Sequence, residues 1–391
     1  MNSRHVANVG ACNMPRLRLI ADDLTGALDT AAQFIGVMGT VPVCWRHPSR
    51  PLFPAGGALG SIAVDSGTRE VGPDEARATV GALVAAMPKT PDALYYAKLD
   101  SLLRGNTGVE IAAWLAFLKP THCIIAPAFP FNGRITRDGI QRVRTKDGWQ
   151  STGVDLRDDL ERLGVPVRLC RPGYPVPSGV SLWDAECEDD LAAIVEAGRA
   201  VDGIVLWCGS GGLAGVLAGR RLPDPVSAVA LPRPILGLFG TNHPVMAEQL
   251  AECHSVGLSI PDGSDESATL VQRHIAKDGV VLANLGLPAG ISRHDAAIHI
   301  ERQFAELVGR LDRPGTLLVA GGETLRGLCL ALEADRLDLD GQIVPGVPCS
   351  ILRGGGYDGV RVISKSGAFG EPRLLRQILA LDELITQGDQ L

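Results

Sequence analysis

The chain has 391 residues, of which 46% are hydrophobic, 21% charged and 4% aromatic, and its formal net charge is −7. That size and balance predict a soluble α/β protein of two domains and exclude a disordered or fibrous chain. Without a dense Lys/Arg run or an apolar stretch of membrane-spanning length, the sequence predicts neither a nucleic-acid nor a membrane partner, so any anionic ligand must be held by local groups.

Residues 1–15 read as a frayed leader with no signal-peptide core, and Met14 is a candidate start because structured pattern begins at Arg16. From there short β-branched or leucine-rich runs alternate with helical periodicity. Strand "LRLIA" precedes a helix over 25–37, strands "VPVCW" and "SIAVD", a helix over 74–87, strand "ALYYAK", a helix over 108–118 and strand "CIIAPA". In the first helix Leu24, Ala27, Leu28, Ala31, Ala32 and Ile35 recur at three- and four-residue steps and form one apolar stripe. Strand "GIVLW" and helix "GLAGVLAG" lead into "RRLPDPVSAVALPRP", whose four prolines in fifteen residues place an inter-domain linker over 221–233. The alternation then restarts with strand "ILGLFG", helix 243–253, strand "VGLSI", helix 265–276, strand "GVVLAN", helix 293–311, strand "TLLVAGG" and helix 323–333. A hairpin of "VPCSILR" and "VRVISK" joined by "GGGYDG", and a helix over 371–387, close the chain. The predicted fold class is therefore α/β with two domains, 16–220 and 234–391, each a mostly parallel sheet with helices on both faces.

The nine cysteines stand singly, without a CxxC pair or a Cys/His cluster. They predict reduced, largely buried thiols in a cytoplasmic protein rather than a disulfide framework or structural zinc.

Ligands of open α/β sheets gather at the carboxyl ends of strands, and four such ends in the first half carry polar equipment. "ADDLTG" places Asp22 and Asp23 between a strand and a helix, where one carboxylate can cap the helix while the other faces a cleft. "YYAKLDSLLRGNTG" supplies Lys98, Asp100, Ser101 and Arg104; the two cations suit a small anionic, hydroxylated substrate, with Arg forking a carboxylate and Lys acting as a point charge. "VDSGTRE" adds Asp65, Thr68 and Arg69, and "APAFPFNGRITRDG" adds Asn132, Arg134 and Thr136. In the second half, "LLVAGGETLRG" runs from a strand through Gly321 and Gly322 into a helix opening with Glu323 and Thr324, an arrangement suited to phosphate although no GxxxxGK[ST] loop is present. "SKSGAFGEP", with Lys365, Ser366, Gly367 and Gly370, is a second candidate anion nest, and "LFGTNHPV" brings Thr241, Asn242 and His243 to another strand end. A lone His near a helix start such as His243 more often makes a local hydrogen bond than it serves as catalyst or ligand. "WCGSGGLAG" fits a loose GxGxxA pattern at Gly209, Gly211 and Ala214, but the acid expected about 20 residues on is missing, which favours close helix packing over a dinucleotide site.

Taken together and in order, "ADDLTGALDT", "KLDSLLRGNTG", "APAFPFNGRIT", "LWCGSGGLA", "GGETLRG", "PGVPCSIL" and "KSGAFG" resemble the four-carbon acid sugar kinase family, over about Arg16 to Leu379. The resemblance implies an N-terminal acid-sugar-binding domain, a C-terminal nucleotide-binding domain, and ATP-dependent phosphorylation of the terminal hydroxyl of a threonate, erythronate or 3-oxo-tetronate. It implies sugar-acid contacts among Asp22, Asp23, Arg69, Lys98, Asp100 and Arg104, with Asp22 or Asp23 as the base. It implies nucleotide contacts at Thr241, Gly321, Gly322, Glu323, Thr324 and Gly367 or Gly370. Mg2+ is expected to arrive with ATP, with no dedicated protein metal site, and a homodimer is the default assembly. Family members often read Ser-Cys-Ser where this chain has Thr241, Asn242 and His243, so the first hydroxyl is kept. The other readings carried forward are a nicotinamide dehydrogenase using the Gly209 loop and a non-catalytic sensor of sugar acid or nucleotide.

Overall fold

The computed structural model describes residues 16–45, 60–90, 92–219, 231–240, 243–288 and 290–380, the side chains of Arg293 and His294 excepted. The expected leader, most of the linker, Thr241 and Asn242 lie outside the described residues. The first half contains β1 (Arg16–Ala21), α1 (Leu24–Gln33), α2 (Ile35–Met38), β2 (Val41–Trp45), β3 (Ile62–Asp65), α3 (Pro73–Ala86), β4 (Ala93–Lys98), α4 (Thr107–Leu118) and β5 (His122–Ala126). It continues with β6 (Arg134–Arg137), β7 (Ile140–Thr145), β8 (Gly148–Ser151), α5 (Leu156–Arg162), β9 (Val167–Cys170), β10 (Gly179–Trp183), α6 (Glu188–Arg199), β11 (Val205–Gly209) and α7 (Gly211–Leu217). The second half contains β12 (Ile235–Phe239), α8 (Pro244–Ala251), β13 (Gly257–Ile260), α9 (Asp265–Asp278), β14 (Val280–Leu285) and α10 (Arg293–Val308). After these come β15 (Thr316–Ala320), α11 (Gly322–Ala331), β16 (Arg336–Gln342), β17 (Pro348–Arg353) and β18 (Arg361–Lys365).

In the first half the strand order is β2-β3-β1-β4-β11-β5-β10-β9, and every neighbouring pair is parallel. The second half has β13-β14-β12-β15-β18 in parallel, followed by antiparallel β17 and β16. Both halves are thus α/β with mostly parallel sheets, and the expected hairpin pairs Cys349 with Ile363. The sequence did not indicate the seam: β16 pairs antiparallel with β2, Leu337 opposite Val43 and Leu339 opposite Val41, so the halves share one 15-stranded sheet. Leu337 and Leu339 are fully buried and alternate with Asp338 and Asp340, the period-two signature of a half-buried strand.

Helix α1 explains how the halves hold together. Asp23, with φ −144° and ψ 159°, is its N-cap, and its carboxylate accepts the Gly26 N–H at 2.7 Å. Its apolar stripe packs on strands of both halves and on α7 and α11. Leu24, Ala27, Leu28 and Ala31 belong to one core cluster that also takes in Val43, Leu236, Leu337 and Val362. Burial of each leucine contributes about 1.5–3 kcal/mol, so the helix that follows the two aspartates is firmly seated. A separate three-stranded meander, β6-β7-β8, leans on the loop after β4 through Gln141, which donates to the Ser101 carbonyl at 2.8 Å.

Candidate active site

The chain leaves β1 for β2 and β3 on one side and returns to β4 on the other, so β1 and β4 flank a topological switch point. At such a point neighbouring connections diverge and open a crevice at the carboxyl edge. Asp65, Ala21, Lys98 and Gly209 stand side by side along that edge. Asp22 and Asp23 follow directly, and the loops after β3 and β4 bring Arg69, Asp100 and Arg104 to them. A second switch point lies between β12 and β15, and Gly321 follows it.

The six first-half candidates form one ionic cluster. Arg69 forks Asp22 with Nε to Oδ2 at 2.8 Å and Nη2 to Oδ1 at 2.7 Å, while its Nη1 donates to Asp23. Arg104 forks Asp100 in the same way, both bonds at 2.8 Å, and Arg69 lies 3.9 Å from the same carboxylate. Lys98 is buried and makes no hydrogen bond or ion pair among the described residues; a Cβ on Gly26 would lie 3.0 Å from its Nζ, which puts the ammonium beside the first turn of α1. The arginine forks that the sequence offered to a substrate carboxylate are therefore filled by protein carboxylates, and Lys98 is the cation of the three left open.

Electrostatics divide the acids. Burial pushes Asp22 above the usual carboxylate range against the pull of Arg69, and Asp23 adds to the push. Asp100, despite burial, is held well below that range by Arg104, Arg69 and Lys98. Burial also works against the charge of Arg69, but Asp23, Asp22 and Asp100 outweigh it and keep the guanidinium firmly protonated. Glu110, in the first turn of α4, accepts from the Thr68 hydroxyl and is raised by burial and then by Asp22. Asp29, one turn along α1 from Thr25, is raised by burial, with Lys98 and the Gly346 N–H opposing. Glu110 and Asp29 were missed in the sequence; the lone acid in the apolar run "TGVEIAAWLAFL" was the available signal for Glu110.

The second-half turn meets this cluster. Gly321 adopts φ +106°, open only to glycine without strain, and no side chain caps α11, which leaves first-turn amides for a ligand. A Cβ on Gly322 would come within 2.6 Å of the Thr25 hydroxyl, so the start of α11 rests on the start of α1. Glu323 is exposed; partial burial raises its carboxyl against Arg326, and Asp23 raises it further. The Thr324 side chain is buried beside Gly321, whose Cβ would lie 3.4 Å from the Thr324 hydroxyl. Arg326, also unread in the sequence, crosses to Asp65 of the first half at 3.4 Å. Gly321 donates its N–H to the Lys365 carbonyl at 2.9 Å, which ties the turn to the "KSGAFG" loop carrying Gly367 and Gly370.

Residues 17–160 match the family model of a sugar-binding N-terminal domain, and residues 260–375 that of a nucleotide-binding C-terminal domain. A D-threonate kinase of Cupriavidus necator is 31% identical over an alignment that takes in 91% of this chain and 95% of that protein. The chain belongs to the four-carbon acid sugar kinase family. Within the family, a D-erythronate kinase of Heliobacterium modesticaldum is 24% identical, with 91% of this chain and 94% of that one covered. The solved structure of a Salmonella typhimurium LT2 protein superposes with a TM-score of 0.71 at 20% identity, over 93% of this chain and 98% of that one, and shares the fold.

Two further motifs resolve as structural elements of a family member. In the Gly209 loop, a Cβ on Gly209 would lie 2.8 Å from the Ala126 carbonyl and one on Gly212 would lie 2.7 Å from the Ala128 carbonyl. The Ser210 hydroxyl fills the turn by donating to Ala128. These glycines serve close packing of α7 against the loop after β5. His243 caps α8, its Nδ1 accepting the Val245 N–H at 3.3 Å.

Proposed function

We propose that this protein transfers the γ-phosphoryl group of ATP to the terminal hydroxyl of a four-carbon sugar acid. The observation that carries the reading is the contact of Gly322 with Thr25, which sets an uncapped, glycine-opened helix start against the carboxylate and arginine cluster. Residues 16–220 would hold the acid and residues 234–391 the nucleotide, in agreement with the two family-model matches. The phosphates would lie on Gly321, Gly322, Glu323 and Thr324, with Thr241 and the Gly367 and Gly370 loop completing the cradle.

Phosphoryl transfer asks a protein for alignment and charge neutralisation more than for strong base chemistry. Asp23 is the better placed of the two aspartates to accept the hydroxyl proton. Its side chain is 12% exposed against 4% for Asp22, and its charge is felt by both Glu323 and Asp65 at the seam, although its oxygens also accept from Gly26 and Arg69. Asp22 then holds Arg69 in place, and Arg69 steadies Asp23. Mg2+ bound to the triphosphate would supply charge neutralisation, and Glu323, an exposed acid among other acids, fits a hard cation as an oxygen ligand. No helix among the described residues is long and apolar enough to cross a membrane. The eight described cysteines are all unpaired.

The test is an ATP-coupled screen of threonate, erythronate and their 3-oxo forms, followed by Asp22→Asn and Asp23→Asn. Positioned base catalysis supplies about 10² to 10⁴ in rate, so Asp23→Asn is expected to lower kcat by at least about 10². A loss below about tenfold in Asp23→Asn sinks its assignment as the base, and one below about tenfold in both variants sinks base catalysis by this pair.

A further inference from the structure

We propose that Arg134, acting with Lys98, grips the carboxylate of the sugar acid and so makes the protein select acids over neutral polyols. The inference rests on the kinase reading for the identity of the ligand, and on the pairing of charges for the residue. Of the arginines at the first-half crevice, Arg69 and Arg104 already fork Asp22 and Asp100. Arg134 makes no ion pair among the described residues. Its Nη1 donates to the Asn132 carbonyl, and its Nε is buried with no acceptor among the described residues.

The backbone fixes where that guanidinium starts. Arg134 opens β6, and its N–H and carbonyl pair with those of Phe129 at 3.1 and 2.9 Å, which closes the loop after β5, while Gln141 of the same meander reaches the loop after β4. From there Arg134 feels both Asp100 and Arg104; burial weakens its hold on the proton, Asp100 opposing and Arg104 adding. Lys98 reaches the same carboxylate electrostatically. Arg104 and Arg69 thus lie against Asp100, Lys98 and Arg134 feel its charge, and neither of the last two has an ion-pair partner among the described residues. A buried donor left without an acceptor is costly, and a ligand carboxylate entering beside Asp100 would give the Nε of Arg134 an acceptor and Lys98 a counter-charge. A polyol without the carboxylate has no charge to offer them.

Calorimetric titration of the full-length protein with D-threonate and D-erythronate, without nucleotide, and steady-state kinetics with ATP read the proposal separately from the kinase assignment. Arg134→Met is expected to weaken acid binding at least tenfold, leave KM for ATP unchanged, and narrow the preference for acid over threitol or erythritol. Arg134→Lys, which keeps charge without the fork, is expected to recover part of the affinity. Wild-type affinity for the acid in Arg134→Met, or an equal loss of acid and ATP affinity in both variants, overturns the proposal while leaving phosphoryl transfer intact. Acid binding that depends on Arg134 in a protein that phosphorylates none of the acids upholds the proposal and removes the kinase reading.

Discussion

Asp65 offers the sharpest test of the seam, because it is a fully buried acid whose charge is only partly answered. It ends β3 at 0% exposure; Oδ1 accepts the Gly67 N–H at 2.8 Å, and Oδ2 lies 3.4 Å from Arg326 Nε without making a hydrogen bond. Arg326 reaches it by lying against Gly67, where φ is +66° and a Cβ would stand 2.5 Å from Nη1. Burial pushes Asp65 up to about 7, against Arg326 and Gly67 and with Asp23 and Glu323 adding. The unfolded chain titrates near 3.8, so between that pH and 7 the folded protein keeps a proton that the unfolded one has lost. The stability contributed by this group is full below about pH 4 and is lost as pH rises through about 7. A shift of about three pH units is worth about 4 kcal/mol. Asparagine imitates the protonated side chain, so Asp65→Asn should be more stable than wild type at pH 8, and its advantage should grow by roughly 2–3 kcal/mol between pH 5 and pH 8. Urea unfolding of both proteins at the two pH values measures this. An advantage that stays constant or shrinks from pH 5 to pH 8 refutes the account of Asp65 as a costly buried charge.

Two further outcomes follow from contacts at the nucleotide side. Gly322→Ala drives a methyl to 2.6 Å from the Thr25 hydroxyl and 3.3 Å from its backbone nitrogen. Overpacking of this kind costs about 1–3 kcal/mol, and the variant should lose turnover with both substrates. Thr25→Ala combined with Gly322→Ala should restore a measurable part of kcat/KM; strict additivity of the two changes would show that this contact does not set the helix starts. Lys365, 3% exposed, donates to the Ser366 and Phe369 carbonyls at 3.1 Å each, and burial pushes its pKa down to about 8. Lys365→Met frees both carbonyls of the loop and should raise KM for ATP about tenfold or more, with KM for the sugar acid unchanged. A shift in the acid KM instead would place this loop away from the nucleotide.

Much of the architecture was legible because it depends on short-range pattern. The alternation of apolar runs and helical stripes in the first half, and the hairpin around "GGGYDG", are properties of neighbouring residues, and the structure has them where the periodicity puts them. The seam was not legible, since β16 announces itself only as two leucines among aspartates, and its partner β2 lies nearly 300 residues earlier. The site divides along the same line. That Asp22, Asp23, Arg69, Lys98, Asp100 and Arg104 gather at one edge follows from their places at strand ends. Which acid fills which arginine does not: Arg69 and Asp22 are 47 residues apart, and Asp100 could have met either guanidinium. That choice decides the chemistry. An arginine whose fork is filled by the protein orients a carboxylate, while a buried cation left unpaired awaits one from outside. In the structure Arg69 and Arg104 fork Asp22 and Asp100, while buried Lys98 and half-buried Arg134 have no ion-pair partner among the described residues. On the proposal made above, acid selectivity would fall to a lysine in a strand and an arginine that opens one.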